Sequence, residues 1–454
     1  MPKLQLVKRI IYPLQEFVKA EAFSGILLML ITLVAIAWAN SPWSDSYDAV
    51  WNAPLTIAFG EFGLTKPVIL WINDGLMAIF FFVVGLEIKR EMLMGELASF
   101  RKAAFPVVAA LGGMLVPAAI YAAFNYNTDS LSGWGIPMAT DIAFALGILT
   151  LLGNRVPLSL KLFLVAFAIV DDIGAVLVIA LFYTAQVDFL MLWCALLVFG
   201  ILLVLSAVRV NNIWIYILLG VVMWFFFLKS GVHATVAGIL LATTIPTRSK
   251  ISDKDFIATT DTILGELQAF HYNRKGEDDE KPDEENFQAA VHTLENNCEE
   301  ALSPLNRLEH SLHPWVAYFI MPVFALANAG IYIDATLTDG FFNNVSWGII
   351  LGLIVGKPVG ILLFTSFVSF TGLISKPNSF SWGQLIGAGL LGGIGFTMSI
   401  FIANLAFAET PYLAQAKLAI LLASVVAGIA AYLLLSSISP KPIEEAADLE
   451  SDDI

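Results

Sequence analysis

The chain has little of what disulfide-rich, metal-binding and nucleic-acid-binding proteins depend on. Only two of its 454 residues are cysteines and five are histidines. Cys194 lies in an apolar segment and Cys298 in an acidic one, a distribution that excludes a disulfide framework or a metal cluster built on cysteine. Motifs for nucleic-acid binding and tracts rich in cysteine or histidine are absent as well, so we expect no nucleic-acid partner.

Charge is scarce too. Charged residues make up 14% of the chain and hydrophobic residues 58%, and the mean hydropathy is +0.79. This composition excludes a soluble globular protein and is typical of a polytopic membrane protein. The net charge of −14 is concentrated, because residues 251–302 hold fourteen acidic and four basic side chains and the tail from Pro440 holds six and one. The acidity therefore belongs to two appendages.

Long apolar runs fill most of the remaining sequence. A spanning helix needs about 20 apolar residues, and the chain offers twelve such segments. They are 22–39, 68–87, 104–124, 136–152, 158–183, 188–207, 213–228, 231–246, 314–332, 346–371, 383–407 and 412–435. The basic N-terminus enters the first run without an A-x-A cleavage site, so we expect a helix there and not a signal peptide. The prediction is an all-α polytopic membrane protein with about 12 transmembrane helices.

The distribution of Lys and Arg predicts the topology. Basic residues concentrate in alternate loops, which places both termini in the cytoplasm. The predicted division is transmembrane helices 1–8 over residues 1–247, an acidic cytoplasmic insert over 248–303, transmembrane helices 9–12 over 304–437 and an acidic cytoplasmic tail over 438–454.

Two polar regions have structure of their own in this prediction. In the insert, 258–270 and 287–302 have helical spacing and are expected to form amphipathic helices, while the charge density of the insert predicts partial disorder. Segment 45–66, on the other side of the membrane, is predicted to form a hairpin or a re-entrant loop.

Ionisable residues stand inside predicted spans at Asp74, Asp141, Asp171, Asp172 and Lys357, with Glu87, Arg90 and His233 nearer the span ends. An ionisable residue within the membrane points to function, because exposure to lipid is costly and the group must face a cavity or a partner. The alternative is a structural ion pair in which Lys357 neutralises one aspartate and joins two helices. One lysine leaves the other carboxylates uncompensated unless protons or a cation occupy the site.

That surplus of carboxylates suggests a chemistry. Crowded acids in a low-dielectric site hold protons readily near neutral pH, and hard cations prefer oxygen ligands, to which Thr140 adds a hydroxyl. Such a site binds either Na⁺ (or Li⁺) or protons. Competition for one site, combined with alternating access, is sufficient to make an exchanger.

Glycine and proline interrupt two of the predicted spans. Gly133, Gly135 and Pro137 precede Thr140 and Asp141 in "GWGIPMATDIAFALGIL". The segment "GAGLLGGIGFTMSIFIANLAF" has the same character, with Gly389, Gly392, Gly393 and Gly395. Broken helices are tolerated at membrane depth where they line a cavity, and two of them at corresponding places in two halves indicate an ion site near the midplane. For the second segment, close helix packing is an equal alternative.

The chain resembles the bacterial NhaA-type sodium/proton antiporters through long stretches that cover its membrane portion in order. They are "WINDGLMAIFFFVVGLEIKREM", "AAFPVVAALGGMLVPA", "GIPMATDIAFALGIL", "LFLVAFAIVDDIGAVLVIALFYT", "LKSGVHATVAG", "RLEHSLHPWVAYFIMPVFALANAG", "GLIVGKPVGI" and "GIGFTMSIFIANLAF". The resemblance implies inverted-topology repeats with two discontinuous helices crossing near the midplane. NhaA-type proteins are among those from which the broken-helix rule was drawn, so these two arguments overlap.

The resemblance also implies residue roles. Ion binding and transport fall to Asp171, Asp172, Asp141, Thr140, Lys357 and Asp74. Sensing of pH falls to Glu87, Arg90, Glu309, His310, His313 and His233. Asp172 is the implied direct Na⁺ ligand, Asp171 the partner of Lys357, and Asp74 an acid lining the cytoplasmic funnel.

Physical chemistry supports part of this and leaves alternatives. Imidazole changes charge between about pH 5 and 8, which suits a sensor at the start of the ninth span. A solvated helix terminus is the alternative for that segment. His233 is otherwise a packing or hydrogen-bonding residue, and Asp74 otherwise faces a water-filled vestibule.

The implied function is a Na⁺(Li⁺)/H⁺ antiporter of the bacterial inner membrane, electrogenic and regulated by pH, and not an enzyme. No cofactor is expected beyond the transported ions; membrane lipid and a second copy of the chain, joined through 45–66, are the expected partners. A cation channel, a proton-coupled carrier of organic solutes and a structural membrane scaffold remain alternatives. The insert is longer than the family's usual loop, and "RVNNIW" has asparagines where arginines are expected, so pH control is predicted to differ in detail.

Overall fold

The computed structural model describes most of residues 23–438. The exceptions are 60–61, 96, 185–186, 250, 274–283, 335–336, 338–339, 373, 375 and 409. The predicted disordered centre of the insert and nearly all of the acidic tail lie outside the described residues.

Helices dominate the described part of the chain. They are α1 (Phe23–Ala39), α2 (Ser44–Asn52), α3 (Val68–Met94), α4 (Phe100–Phe124), α5 (Ile142–Leu151), α6 (Leu158–Phe182), α7 (Phe189–Ala207), α8 (Ile213–Ser230), α9 (Thr235–Thr244), α10 (Asp253–Asn273), α11 (Glu284–Ala301), α12 (304–328), α13 (Asn344–Phe370), α14 (Trp382–Gly392), α15 (Phe396–Ala406) and α16 (Tyr412–Ser437). A 3₁₀ helix, Asp129–Met138, precedes α5.

Among the described residues, seven helices are long and apolar enough to cross a membrane. Three sharply bent pairs pass the same test together: α1 with α2, the 3₁₀ helix with α5, and α14 with α15. Counting each pair as one span gives up to ten. The protein is therefore an all-α, multi-pass membrane protein. The apolar runs predicted most of the helix positions to within a few residues. Helix α12 differs, because it begins ten residues before its predicted span of 314–332. Residues 304–313 are amphipathic, with Leu305, Leu308 and Glu309 buried, so their helical order does not register as an apolar run.

Two bent pairs meet each other inside the protein. The 3₁₀ helix and α5 bend by 41° at the 139–141 break, and α14 and α15 bend by 44° at the 393–395 break. The Asp141 N–H donates to the carbonyl of Ile394 at 2.6 Å, and the Thr140 hydroxyl donates to the carbonyl of Gly392 at 2.9 Å. Each break thus satisfies backbone groups that the other leaves open, as burial requires.

Three helices contain a π turn: Ile72–Leu76 in α3, Val316–Ile320 in α12 and Gly352–Gly356 in α13. In α12 and α13 a proline stands two residues after the end of the turn, at Pro322 and Pro358. A proline lacks the N–H for the i−4 bond and its ring displaces that carbonyl, which accounts for a wider turn just before it. The π turn of α13 ends immediately before Lys357.

Segment 45–66 and the 248–303 insert, the two polar regions predicted to have structure of their own, contain a hairpin and helices. Strands β1 (Pro54–Phe59) and β2 (Phe62–Pro67) form an antiparallel hairpin in which Thr56 faces Thr65, which confirms the hairpin. Helices α10 and α11 confirm the amphipathic helices of the insert, and they are joined by a hydrogen bond of 2.9 Å from Asn297 to Thr260.

Candidate ion-binding site

A buried ion pair forms the first part of the site. Lys357 Nζ lies 2.7 Å from Asp171 Oδ2, and both side chains are fully buried. The ammonium also donates to the carbonyl of Met138, the last residue of the 3₁₀ helix. A carbonyl at a helix end lacks an intrahelical donor, so Lys357 neutralises one aspartate and completes the 139–141 break at the same time.

Asp172 faces a different side of α6. Neighbouring residues point about 100° apart around a helix, so the carboxylate beside Asp171 does not share Lys357. Asp172 is 6% exposed, and no hydrogen bond within the described residues reaches its buried Oδ1. An unpaired carboxylate oxygen away from water is costly, so this oxygen is suited to hold a proton or a cation.

Asp172 lines a narrow cavity of about 50 Å³ between α1, α3, α5, α6, α12 and α15. Its polar lining residues are Ser24, Glu87, Thr140, Asp141, Asp172, His313 and Thr397. Every polar atom of these side chains except the imidazole nitrogens is an oxygen, the ligand type that hard cations prefer. The volume is enough for an ion with little of its hydration shell, or for a few waters.

Asp141 is held more tightly than sequence reasoning anticipated. Its carboxylate accepts hydrogen bonds from the Phe144 N–H at 3.1 Å, from the Thr397 N–H at 3.0 Å and from the Thr397 hydroxyl at 2.5 Å. One side chain therefore caps the start of α5 and binds the start of α15. Asp141 lines the cavity, but these donors already occupy much of its oxygen capacity.

Asp74 does not join this group. Its carboxylate pairs with Lys66 of β2 at 2.7 Å, at the hairpin end of α3. Glu87 lies thirteen residues further along α3, roughly 20 Å away at 1.5 Å per residue. The role of Asp74 on the cytoplasmic funnel stays a prediction.

Four of the residues implied in pH sensing come together where the cavity approaches the surface. Arg90 forms an ion pair with Glu309 and contacts Glu91 at 3.0 Å, while His313 Nδ1 lies 3.5 Å from Glu87 Oε1. We call Glu87, Arg90, Glu309 and His313 the mouth cluster. His310 stays outside it, because its side chain is exposed on α12.

Burial makes Glu309 a weaker acid than an ordinary glutamate. Loss of solvation raises the pKa of its carboxyl to about 7, against the opposing charge of Arg90 and with a smaller contribution from Glu87 in the same direction as burial. A carboxyl in this range changes charge near neutral pH, as an imidazole does.

His233 lies between α8 and α9, away from the mouth cluster. Its Nε2 makes a hydrogen bond of 2.6 Å with the carbonyl of Tyr183 at the end of α6. The structure thus gives this histidine the hydrogen-bonding position that the sequence left open as an alternative.

Sequence reasoning missed Thr397 and the carbonyl of Met138. Thr397 follows the glycines of "GGIGFT", and a threonine directly after a helix break is a capping signal. That signal was available, but nothing local indicates a partner 256 residues earlier in the chain. The Met138 carbonyl has no signal in the sequence.

A multi-pass helical membrane protein with charged residues buried between its spans has many known relatives. The family model described as Na+/H+ antiporter 1 matches residues 15–435. The NhaA Na(+)/H(+) antiporter of Oleidesulfovibrio alaskensis is 52% identical over 431 residues, 95% of each chain. That of Koribacter versatilis is 49% identical over 94% of this chain and 92% of its own, and that of Helicobacter pylori 45% over 94% and 96%.

The chain therefore belongs to the Na+/H+ antiporter 1 family, a family of membrane transporters and not of enzymes. Alignments that cover about 95% of both chains also mean that these relatives have a similar length. An insert of this size is thus not peculiar to the present chain among them, and the predicted departure from the family does not hold for these relatives.

Proposed function

We propose that the protein exports Na⁺ or Li⁺ across the bacterial inner membrane in exchange for protons, by alternating access. The observation that carries the proposal is that two neighbouring aspartates have different surroundings. Each has a buried Oδ1 without a hydrogen-bond partner among the described residues, but Asp171 is neutralised by Lys357, whereas Asp172 presents its oxygen to a cavity lined with other oxygens. A single Na⁺ or a single proton satisfies that oxygen, and the two exclude each other.

The residues divide the work accordingly. Asp172, with Thr140 and carbonyls released at the 139–141 break, binds the cation. Asp171 leaves Lys357 and takes a proton when the cation has gone. If both aspartates are protonated in the return step, more protons than cations cross per cycle. Transport is then electrogenic and responds to the membrane potential.

We further propose twelve crossings, with both termini in the cytoplasm and the hairpin outside. Beyond the seven long apolar helices, the two bent pairs that meet at their breaks each count as one discontinuous span. Helices α1, α9 and α12 supply the other three. In this arrangement the discontinuous spans cross near the midplane as corresponding parts of inverted repeats, and the residue ranges predicted for the four segments of the chain apply.

Regulation by pH belongs to the mouth cluster in this account. Glu87 and His313 line the same cavity as Asp172, and Glu309 titrates near pH 7 beside them. Ionisation of Glu309 strengthens its attraction to Arg90 and thereby changes the packing of α12 against α3. The hairpin is the proposed dimer contact, since β1 is an edge strand and its Leu55 and Ile57 side chains are exposed.

A fluorescence assay of ΔpH in everted vesicles tests the exchange. Addition of Na⁺ or Li⁺ should dissipate an acid-inside gradient with the parent protein. Asp172→Asn should reduce the response to that of vesicles without the protein. Asp188→Asn is the matched control, because Asp188 caps α7 at the surface and asparagine caps equally well. Exchange retained by Asp172→Asn would refute the site.

A further inference from the structure

Three asparagines from three helices form a hydrogen-bonded group on the hairpin side of the cavity. Asn328, fully buried at the end of α12, donates to Asn73 Oδ1 of α3 at 2.9 Å. Its own Oδ1 accepts from Asn404 Nδ2 of α15 at 2.7 Å. We call Asn73, Asn328 and Asn404 the amide triad.

The same three helices form an aromatic layer next to the amide triad. The rings of Phe81 on α3 and Phe401 on α15 lie 5.5 Å apart, and those of Phe324 on α12 and Phe401 lie 6.2 Å apart. All three side chains are buried. The rings are in edge or tilted contact and fill the space between the three helices at this level.

The cavity adjoins the aromatic layer on the side away from the amide triad, and Phe80, beside Phe81 on α3, is among its lining residues. Val84, Met321 and Met398 line it, three residues from Phe81, Phe324 and Phe401 respectively. Moving from Asp172 toward the hairpin, an ion therefore meets first the aromatic layer and then the amide triad. Helices α3, α12 and α15 contribute one residue to each level.

We propose that the hydrogen bond from Asn404 to Asn328 is a latch that keeps the hairpin side of the ion site closed. Asn404 is a positioning residue, seven residues after Thr397 on α15, and Thr397 binds Asp141 at the 139–141 break. A rearrangement at the breaks when the ion binds or leaves thus moves Asn404 relative to α12. Asn73 and Asn328 stay together, and the ion leaves toward the hairpin only when α15 has separated.

The chemistry of an amide suits a reversible latch. In the closed state each buried amide group has a partner, and after opening the same groups bond to water. The net contribution of such a bond to stability is small, because water replaces the lost partner, so the two states remain close in free energy, as alternating access requires. The hydrophobic effect would oppose the opening of a seal made of aromatic side chains alone, because opening exposes their apolar surface to water.

Cysteine accessibility tests the latch. The probe is Met398→Cys in a chain with Cys194→Ser and Cys298→Ser, labelled by a membrane-impermeant methanethiosulfonate from the hairpin side. Asn404→Ala removes the bond between α15 and α12, and Asn73→Ala removes the bond between α3 and α12 from the same triad. We expect Asn404→Ala to speed labelling several-fold and Asn73→Ala to leave its rate at that of the parent.

Unchanged labelling in Asn404→Ala would overturn the latch, and so would equal increases in both variants, since these indicate general loosening. Labelling from the Glu87 side controls for correct folding, and Asn404→Gln should restore part of the slow rate. In transport, Asn404→Ala should change the ratio of half-saturating Na⁺ concentrations on the two sides of the membrane. The latch rests on the proposed exchange, but labelling does not require transport, so failure of one is distinguishable from failure of the other.

Discussion

The buried lysine at position 357 has two partners that depend on it, Asp171 and the carbonyl of Met138. Removing one member of a buried ion pair leaves an uncompensated charge, which costs about 3–5 kcal/mol. Lys357→Ala should therefore lower the thermal unfolding temperature of the purified protein strongly. Asp171→Asn with Lys357→Met, which removes both charges, should recover most of the loss. Equal destabilisation by the single and the double change would contradict a simple ion pair.

Glu309 is the residue through which the mouth cluster responds to pH. Its pKa of about 7 means that the carboxyl is largely neutral at pH 6 and largely charged at pH 8. Glu309→Gln fixes the neutral form, so the dependence of exchange on pH should flatten between pH 6 and 8. The matched control is His310→Gln at the exposed neighbouring position, whose profile should follow the parent. A Glu309→Gln profile identical to the parent would exclude this residue as the sensor.

Single residues were predictable from the sequence where charge contradicts hydropathy. Asp171, Asp172 and Lys357 stand out because apolar neighbours surround them on both sides. The ion pair of Asp74 was not predictable, because its partner Lys66 lies in a hairpin whose register is set by strand pairing. The sequence also gives no indication that Asp141 binds the start of α15, because its donor Thr397 is brought to it only by the fold.

At the scale of helices, the two breaks support each other through Thr397. Its hydroxyl donates to Asp141, so Thr397→Val leaves a buried carboxylate short of one partner, at a cost of about 1–3 kcal/mol. We expect a lower unfolding temperature together with weaker Na⁺ binding. Thr365→Val is the control, since Thr365 is equally buried but bonds only within its own helix, to Ile361. Equal effects of the two changes would mean that the breaks are not coupled through this contact.

Helix positions followed from apolar periodicity more readily than helix shape did. Proline and glycine at 133–137 and 389–395 indicated interruptions, and the structure bends near both places. The π turns of α12 and α13 depend on where the displaced carbonyl before Pro322 or Pro358 finds room, which is a property of packing. The early start of α12 was hidden from a search for apolar runs, because polar residues on its outer face offset the apolar residues on its inner face in the mean hydropathy.

At the scale of the molecule, the insert connects α9 to α12, which carries Glu309 and His313. The two ends of the insert already meet, because the Leu305 N–H donates to the carbonyl of Pro246 at 3.2 Å. Replacing 248–303 by a short Gly/Ser linker should therefore preserve exchange.

Deletion should also shift the pH profile. The insert holds ten more acidic than basic residues between 251 and 302, and removal of this negative potential favours ionisation of Glu309 at lower pH. The profile should move toward acid pH, and less so in high salt because screening weakens the effect. A profile that stays in place at low salt would remove the insert from regulation.

The central claim is that Na⁺ and protons compete for one site at Asp172, and proton release by the purified protein measures this directly. Addition of Na⁺ to the protein in weakly buffered detergent solution should release protons to a pH-indicator dye, with K⁺ as the inert control. The account predicts release from the parent protein and none from Asp172→Asn. Sodium binding by the parent without proton release, or undiminished release from Asp172→Asn, would contradict it.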